Sequence, residues 1–189
     1  MNCELLFPTP IFQETISGID LTDYIKRTQK TDPGQTRSNE GGWHSSSYSG
    51  ALTEFEDLWK AIEIHLNTFH KFLGMSGEVY ITTLWFNVNK KNSWNIPHRH
   101  HSSNYSGVYY IKTPENCGDI FFLNPNSSAG WVWPNKAIVE QNNIAVDSVG
   151  LKAQKDNLYL FPSYIQHYVG MNLSDEERIS LSFNTALRH

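Results

Sequence analysis

A chain of 189 residues, 39% hydrophobic and 13% aromatic, can bury a core as one domain without covalent staples, which excludes an intrinsically disordered protein. Its formal charge of -4 provides no basic footprint, which excludes strong non-specific nucleic-acid binding. With only Cys3 and Cys117 present, a disulfide scaffold and a cysteine-based zinc module are excluded as well.

The opening residues Met1 to Pro8 lack a basic stretch followed by an apolar run, and no segment reaches the roughly 20 apolar residues of a membrane span. The sequence therefore points to a cytoplasmic protein with no membrane partner, and the Asn-x-Ser/Thr triplets at Asn104, Asn126 and Asn172 read as chance matches. Phe7-Pro8-Thr9-Pro10-Ile11-Phe12 reads as an extended edge segment, because prolines are incompatible with a helix or a central strand. A short helix is expected after Asp20, with Leu21, Tyr24 and Ile25 on its apolar side. Residues 31–50, rich in Gly, Ser, Asn and Thr, read as a long surface loop, with 38–50 around Trp43 either a candidate lid or an ordered connection. Thr53 and Glu56 have capping-box spacing. Phe55, Leu58, Ile62, Leu66, Phe69 and Leu73 then recur at helical spacing, so a helix is expected over 54–73. His65 and His70 ride on it and read as ordinary boundary residues.

From residue 78 the period changes to that of strands. These are expected at Val79–Asn89, Ser106–Lys112, Asp119–Leu123, Ala145–Val149, Leu158–Phe161, His167–Met171 and Ile179–Ala186. Turn signals fall at Lys90–Ser93, Pro114–Gly118 and Asn124–Gly130. Helices first and short strands afterwards imply a sandwich or barrel with helices on one face. One domain is expected over 1–189, helical over residues 1–75 and built of barrel strands over 78–187.

Chemistry concentrates in His98, Arg99, His100, His101 and the distant His167. Along an extended strand His98 and His100 point to one face and His101 to the other. Two imidazoles on one face and a third from a remote strand make a metal-ligand triangle, open to Fe, Zn, Cu or Ni. Eleven residues after His167 comes Arg178, in Arg178-Ile179-Ser180-Leu181-Ser182-Phe183-Asn184. Alternation sets Arg178, Ser180, Ser182 and Asn184 on one face and Ile179, Leu181 and Phe183 on the other. A guanidinium with a hydroxyl two residues on can grip a carboxylate through bidentate, charge-assisted hydrogen bonds.

These fragments, with Trp85-Phe86-Asn87-Val88-Asn89, Pro97-His98-Arg99-His100, Ser106-Gly107-Val108-Tyr109-Tyr110, Gly118-Asp119-Ile120-Phe121-Phe122 and Phe161-Pro162 in the same order, resemble the Fe(II)/2-oxoglutarate-dependent oxygenases of prolyl-hydroxylase-like type. More narrowly, they resemble a small group from marine bacteria and phages. The resemblance implies a mainly β fold with flanking helices: a double-stranded β-helix, the jelly-roll or cupin-like barrel, with the metal at its mouth. It implies Fe(II) held by His98 and His167, with 2-oxoglutarate as co-substrate. Arg178, helped by Ser180, would bind the distal carboxylate, Tyr110 would also touch 2-oxoglutarate, and Asn87 would sit near its keto-acid end. One position departs from the wider superfamily, where Asp or Glu stands two residues after the first histidine; here it is His100, kept as a third ligand, beside the alternative that it only supports the site and another group or water completes the coordination. The reaction implied is hydroxylation of a C–H bond in a small-molecule or peptidyl substrate, with release of succinate and carbon dioxide. Trp43-His44 and Trp131-Val132-Trp133 are candidates to line its pocket, and a homo-oligomer stays open. Two other readings stand beside this one: a cupin-type dioxygenase or isomerase working without 2-oxoglutarate, and a non-catalytic barrel that only binds.

Overall fold

Strict alternation along two long strands organises the molecule. The computed structural model describes residues 2, 6–126 and 146–188. Within these, β4 (Glu78–Asn89) and β11 (Arg178–Arg188) pair antiparallel over their full lengths at the centre of a six-stranded sheet. That sheet runs β1-β9-β6-β11-β4-β3, with β1 Phe12–Thr15, β3 Trp43–His44, β6 Tyr105–Lys112 and β9 Asn157–Pro162. A second sheet faces it in the order β2-β5-β10-β7-β8, with β2 Asn39–Glu40, β5 Trp94–His98, β7 Ile120–Leu123, β8 Ser148–Leu151 and β10 His167–Val169. Every strand pair is antiparallel. The result is the expected jelly-roll.

The outer face of the larger sheet is apolar and covered by helices. Val79, Ile81, Leu84, Phe86 and Val88 of β4 join Ile179, Leu181 and Phe183 of β11 in one cluster with Ile25 of α1 (Thr22–Thr31) and Leu58, Ile62, Leu66 and Phe69 of α2 (Glu56–Phe72). The step from Ile81 to Leu84 breaks the two-residue period, and the register of β4 against β11 shifts there, between Asn184 and Thr185. One extra residue in β4 makes a β-bulge, so both halves of the strand keep their apolar side on the helices.

Helix α2 forms where the period predicts. Glu56 and Asp57 stand in its first turn and His70 and Lys71 in its last, each favourable to the helix dipole. Gly74, at φ 74°, terminates it in the left-handed region that glycine tolerates. The expected capping box does not form. A short 3-10 turn, Thr53–Phe55, precedes α2 with no side-chain cap on either segment. The buried ring of Phe55, packed edge-on against Phe86 and Tyr48, fixes the start of the helix instead.

Other expectations shift. The edge strand is Phe12–Thr15, following the proline-rich stretch rather than occupying it. Residues 31–50 are no free loop: β2 pairs with β5 in one sheet, β3 pairs with β4 in the other, and Tyr48 bridges Leu84. Trp43 donates its indole N–H to the Asp32 carbonyl at 3.0 Å. A segment laced into both sheets is scaffold, which corrects the lid expectation for 38–50. Strand β5 escaped the sequence reading because of Pro97; the proline is tolerated because β2 has already ended beside it, pairing only with Trp94 and Asn95. The start of the expected strand Ala145–Val149, the tip of the Asn124–Gly130 turn, and Trp131 and Trp133 lie outside the described residues. Among the described residues no helix is long and apolar enough to cross a membrane.

Burial on the helix face sets a stability prediction. Leu66 is fully buried and Ile64, two residues earlier, is 66% exposed. Leu66→Ala is expected to lower the unfolding free energy by about 2–5 kcal/mol, and Ile64→Ala by less than about 0.5 kcal/mol, read from denaturant midpoints. Equal losses would mean that α2 does not pack as described.

Candidate functional site

The inner face of the larger sheet is polar, and it borders a cavity of about 580 Å³ between the sheets. Arg178, Ser180, Ser182 and Asn184 of β11 line it, as alternation predicts. Ser180 pairs in register with Asn87 of β4 on one side and Tyr110 of β6 on the other, so three strands bring these side chains to one patch.

Opposite, the smaller sheet supplies histidines. His98 ends β5 and His167 begins β10, and the two are direct cross-strand partners. Their ring centroids are 4.4 Å apart, and each lies 5.1 Å from the ring of His100. One nitrogen from each ring falls within 4.8 Å of the others, a cluster able to hold a metal ion. His100 arrives by a route the strand argument did not foresee. Strand β5 stops at His98, and the chain beyond is held by an N–H bond from His100 to the Ser163 carbonyl at 3.2 Å. For the same reason His101, assigned to the opposite face, is found lining the cavity mouth, exposed.

Two of the rings are already oriented. Nδ1 of His98 lies 2.8 Å from the Ile96 carbonyl, and Nδ1 of His167 lies 3.0 Å from the Ile165 carbonyl. A carbonyl only accepts, so Nδ1 carries the proton in both and Nε2 is left with a free lone pair. A ring nitrogen held this way is the usual support of a metal-binding imidazole. Burial lowers the pKa of all three: His98 is shifted down, His100 to about 4, with His98 and His101 adding repulsion, and His167 to about 3, with His98 adding repulsion. Neutral, clustered and pre-oriented nitrogens fit a transition-metal ion by geometry and donor type.

Arg178 is the largest fully buried side chain among the described residues. Its Nη1 donates to the carbonyls of Cys117 at 2.6 Å, Gly118 at 2.9 Å and Gly170 at 3.3 Å. Gly118, at φ 84°, lies against the Gly170 carbonyl with no room for a Cβ, which lets these three acceptors converge. No carboxylate pairs with Arg178 among the described residues; nearby Asp119 spends its oxygens on Lys152 and the Ala153 N–H. Beside it the Tyr110 hydroxyl is buried with no hydrogen-bond partner among the described residues. Desolvation raises the pKa of that phenol, keeping it a donor. A lone buried cation next to an unused donor is costly unless an anion completes it. Asn87 is partly committed, donating to Ser182 Oγ at 3.1 Å.

Three further wall residues, Trp85, Ser38 and Arg37, received no site role in the sequence reading, while His44 lines the cavity as expected. Trp85 stacks on His44 at 5.4 Å and lies 5.7 Å from His100, filling the space between them. Trp85 shares the inward phase of Asn87, a signal the alternation of β4 carried. Ser38, whose Oγ is 3.5 Å from His98 Nε2, and Arg37 come from the segment before β2, which only tertiary pairing delivers here. His70, expected to be a non-ligand, is buried and bonded to the Tyr105 hydroxyl and the Ser76 carbonyl.

With this geometry in hand, comparison with known proteins is informative. Residues 83–184 match the 2OG-Fe(II) oxygenase family. No curated protein sequence matches. Among solved structures, a prolyl-4-hydroxylase from Pseudomonas putida is 13% identical with a TM-score of 0.64, over 96% of this chain and 94% of that one. HygX from Streptomyces hygroscopicus, solved with nickel and 2-oxoglutarate bound, is 9% identical with a TM-score of 0.64, over 95% and 83%. The viral collagen prolyl hydroxylase of Paramecium Bursaria Chlorella virus-1 is 10% identical with a TM-score of 0.58, over 93% and 94%. At these identities the structural likeness establishes a shared fold.

The depressed imidazoles set a pH expectation. Protons compete with a metal for the ring nitrogens, and a lowered pKa moves that competition to more acid pH. Ni(II) affinity measured by calorimetry is expected to stay level down to pH about 6 and to fall as the pH approaches the value of about 4 held by His100. A steep fall already beginning at pH 7, as three ordinary imidazoles would give, would contradict a buried triad.

Proposed function

This chain belongs to the 2OG-Fe(II) oxygenase family, and on that premise we propose that His98, His100 and His167 hold its iron while Arg178, Ser180, Tyr110 and Asn87 hold 2-oxoglutarate. One observation carries the assignment: a fully buried guanidinium, without a carboxylate partner among the described residues, lines the same cavity as three neutral, clustered imidazoles. Family membership sets aside the cupin-type reading, and succinate formation by the iron-loaded protein in air would set aside the purely binding one.

In this proposal the protein supplies binding, orientation and charge compensation. When bound, iron with 2-oxoglutarate would supply the activation of dioxygen, the oxidant: one oxygen atom would enter the C–H bond as a hydroxyl, and the other would go into succinate as carbon dioxide leaves. Arg178, its Nη1 tethered to three carbonyls, turns the rest of its fork to the distal carboxylate of the co-substrate. Tyr110 donates its hydroxyl to the same carboxylate, and Ser180, in register between Tyr110 and Asn87, adds another donor. Ile96 and Ile165 hold the Nδ1 protons of His98 and His167, leaving Nε2 for the metal. Trp85 and Phe161 wall the imidazoles from bulk water. The substrate, a small molecule or a peptide, enters from the side lined by Arg37, Arg99 and His101, and the outcome is hydroxylation.

Substitutions separate these roles. Arg178→Ala should weaken 2-oxoglutarate binding by about 2–5 kcal/mol, and Arg178→Lys by less, since lysine keeps the charge and loses the fork. Because Arg178 also ties three backbone segments together, Tyr110→Phe is the cleaner probe. It should cost roughly 1.5–3 kcal/mol in 2-oxoglutarate affinity while leaving apo stability unchanged or slightly higher, because the hydroxyl has no partner there. The readout is anaerobic titration of the Fe(II) protein, followed by its iron–keto-acid absorption. Iron uptake should survive all three changes and be lost in His98→Ala and His167→Ala. His100→Ala decides the third ligand: a loss matching His98→Ala marks direct ligation, and a loss of only about 10–100-fold marks a supporting role. Unchanged 2-oxoglutarate affinity in both Arg178→Ala and Tyr110→Phe would remove the co-substrate assignment.

A further inference from the structure

The cavity is electrostatically one-sided in a chain whose composition is not. Acidic residues outnumber Lys and Arg 19 to 15, yet no Asp or Glu lines this cavity among the described residues, while Arg37, Arg99 and Arg178 all do. Arg178 lies on the wall assigned to 2-oxoglutarate. Arg37 and Arg99 have no role in that assignment. They stand on the side of the histidines that faces solvent: Arg99 sits between two of the three imidazole residues, and Arg37 directly precedes Ser38, which touches His98.

Among the described residues neither arginine has a carboxylate partner. The six ion pairs of the described residues involve other cations. Arg37 is nonetheless held in place. Its backbone N–H donates to Asn39 Oδ1 at 2.7 Å, and its Nε and Nη2 share the Gln35 amide oxygen at 3.2 and 3.0 Å. A neutral amide positions the guanidinium without consuming its charge, and Nη1 has no protein partner among the described residues. The same charge is felt inside the cavity, where Arg37 adds to the burial that lowers the pKa of His44.

The metal site adds to the imbalance. With iron held by three neutral imidazoles, the dianionic co-substrate cancels the charge of the metal, and the Arg178 cation is left over. Arg37 and Arg99 then raise the positive charge of a site that already has an excess. A neutral or cationic substrate would leave it uncompensated in a partly desolvated cavity, whereas an acidic substrate would be attracted on approach and held on arrival. Both mouth cations are arginines, whose planar forks match the two oxygens of a carboxylate or phosphate.

We infer that the substrate oxidised here is an anion, a molecule carrying a carboxylate or phosphate group that Arg37 and Arg99 grip at the cavity mouth. The inference rests on the proposed function and extends it to the substrate class. Arg37 and Arg99 are binding and specificity residues, and neither contributes to metal or 2-oxoglutarate affinity.

The test uses the full chain loaded with Ni(II), which does not turn over, and saturated with 2-oxoglutarate. Calorimetric titrations with benzoate, phenyl phosphate and benzamide compare one ring bearing a carboxylate, a phosphate or a neutral amide. At least one anion should bind about tenfold or more tightly than benzamide, and the preferred anion names the acid group. Arg37→Gln and Arg99→Gln should each weaken that anion by about three- to tenfold. The double variant should lose the preference over benzamide while its nickel and 2-oxoglutarate affinities match wild type. Equal binding of benzamide, no binding of either anion, or undiminished anion binding by the double variant overturns the inference. Failure of the wild-type chain to take up nickel or 2-oxoglutarate overturns instead the reading beneath it, and the inference with it.

Discussion

The antiparallel pairing of β4 with β11 is the constraint on which the rest depends. Two strands of 12 and 11 residues lie side by side at the middle of the larger sheet. Side chains alternate between faces, so a single register assigns every residue of both strands to the helices or to the cavity. Slipping the register by one would turn Ile179, Leu181 and Phe183 into the cavity and Arg178 toward the helix layer. The apolar face, buried under α1 and α2, is what prevents that slip. The helix layer therefore does more than stabilise the sheet: by holding the register, it places the polar groups that line the cavity.

A second consequence of the same alternation is an interior that tolerates polar groups. Barrels of this size usually fill their inner face with apolar side chains. Here the inner wall of β11 presents an arginine, two serines and an asparagine, while apolar packing between the sheets collects in a smaller cluster around Phe122, Tyr159 and Phe161. Burying Arg178 costs desolvation, and three backbone carbonyls offset only part of it. That residual demand for an anion makes the pocket specific. The histidines show the opposite design: burial and mutual repulsion keep them neutral and leave lone pairs free, as the proposed metal site requires.

Much of this was legible in the residues. The period of Leu58, Ile62, Leu66 and Phe69 marks α2, and the period of 178–184 separates cavity from core residue by residue, as found. Both readings depend only on local geometry, which the chain carries along its length. The readings that failed did so where local pattern was overruled from a distance. The glycine- and serine-rich stretch 31–50 looks like loose chain, but Asn39, Trp43 and Tyr48 find partners in strands far along the sequence. Pro97 disguised β5, because the sequence does not reveal where a neighbouring strand ends. The Thr53–Glu56 spacing promised a cap, and the packing of Phe55 decided the helix start instead.

The sequence by itself determined the two faces of each long strand, the apolar side of α2, the residue types of the site and, through their order, the family. These follow from side-chain chemistry and from periods of two and 3.6, which need no partner to be defined. Only the tertiary structure decided which residues meet. His98 and His167 are 69 positions apart and become neighbours because β5 pairs with β10. His100 joins them from a loop and not from the shared strand face its spacing suggested. Arg37 reaches the cavity from a segment with no periodic signal at all, and the absence of acidic side chains from the cavity lining among the described residues is a property of the assembled wall. Contacts of that kind depend on chain closure over long distances, so they exist only once the sheets have formed.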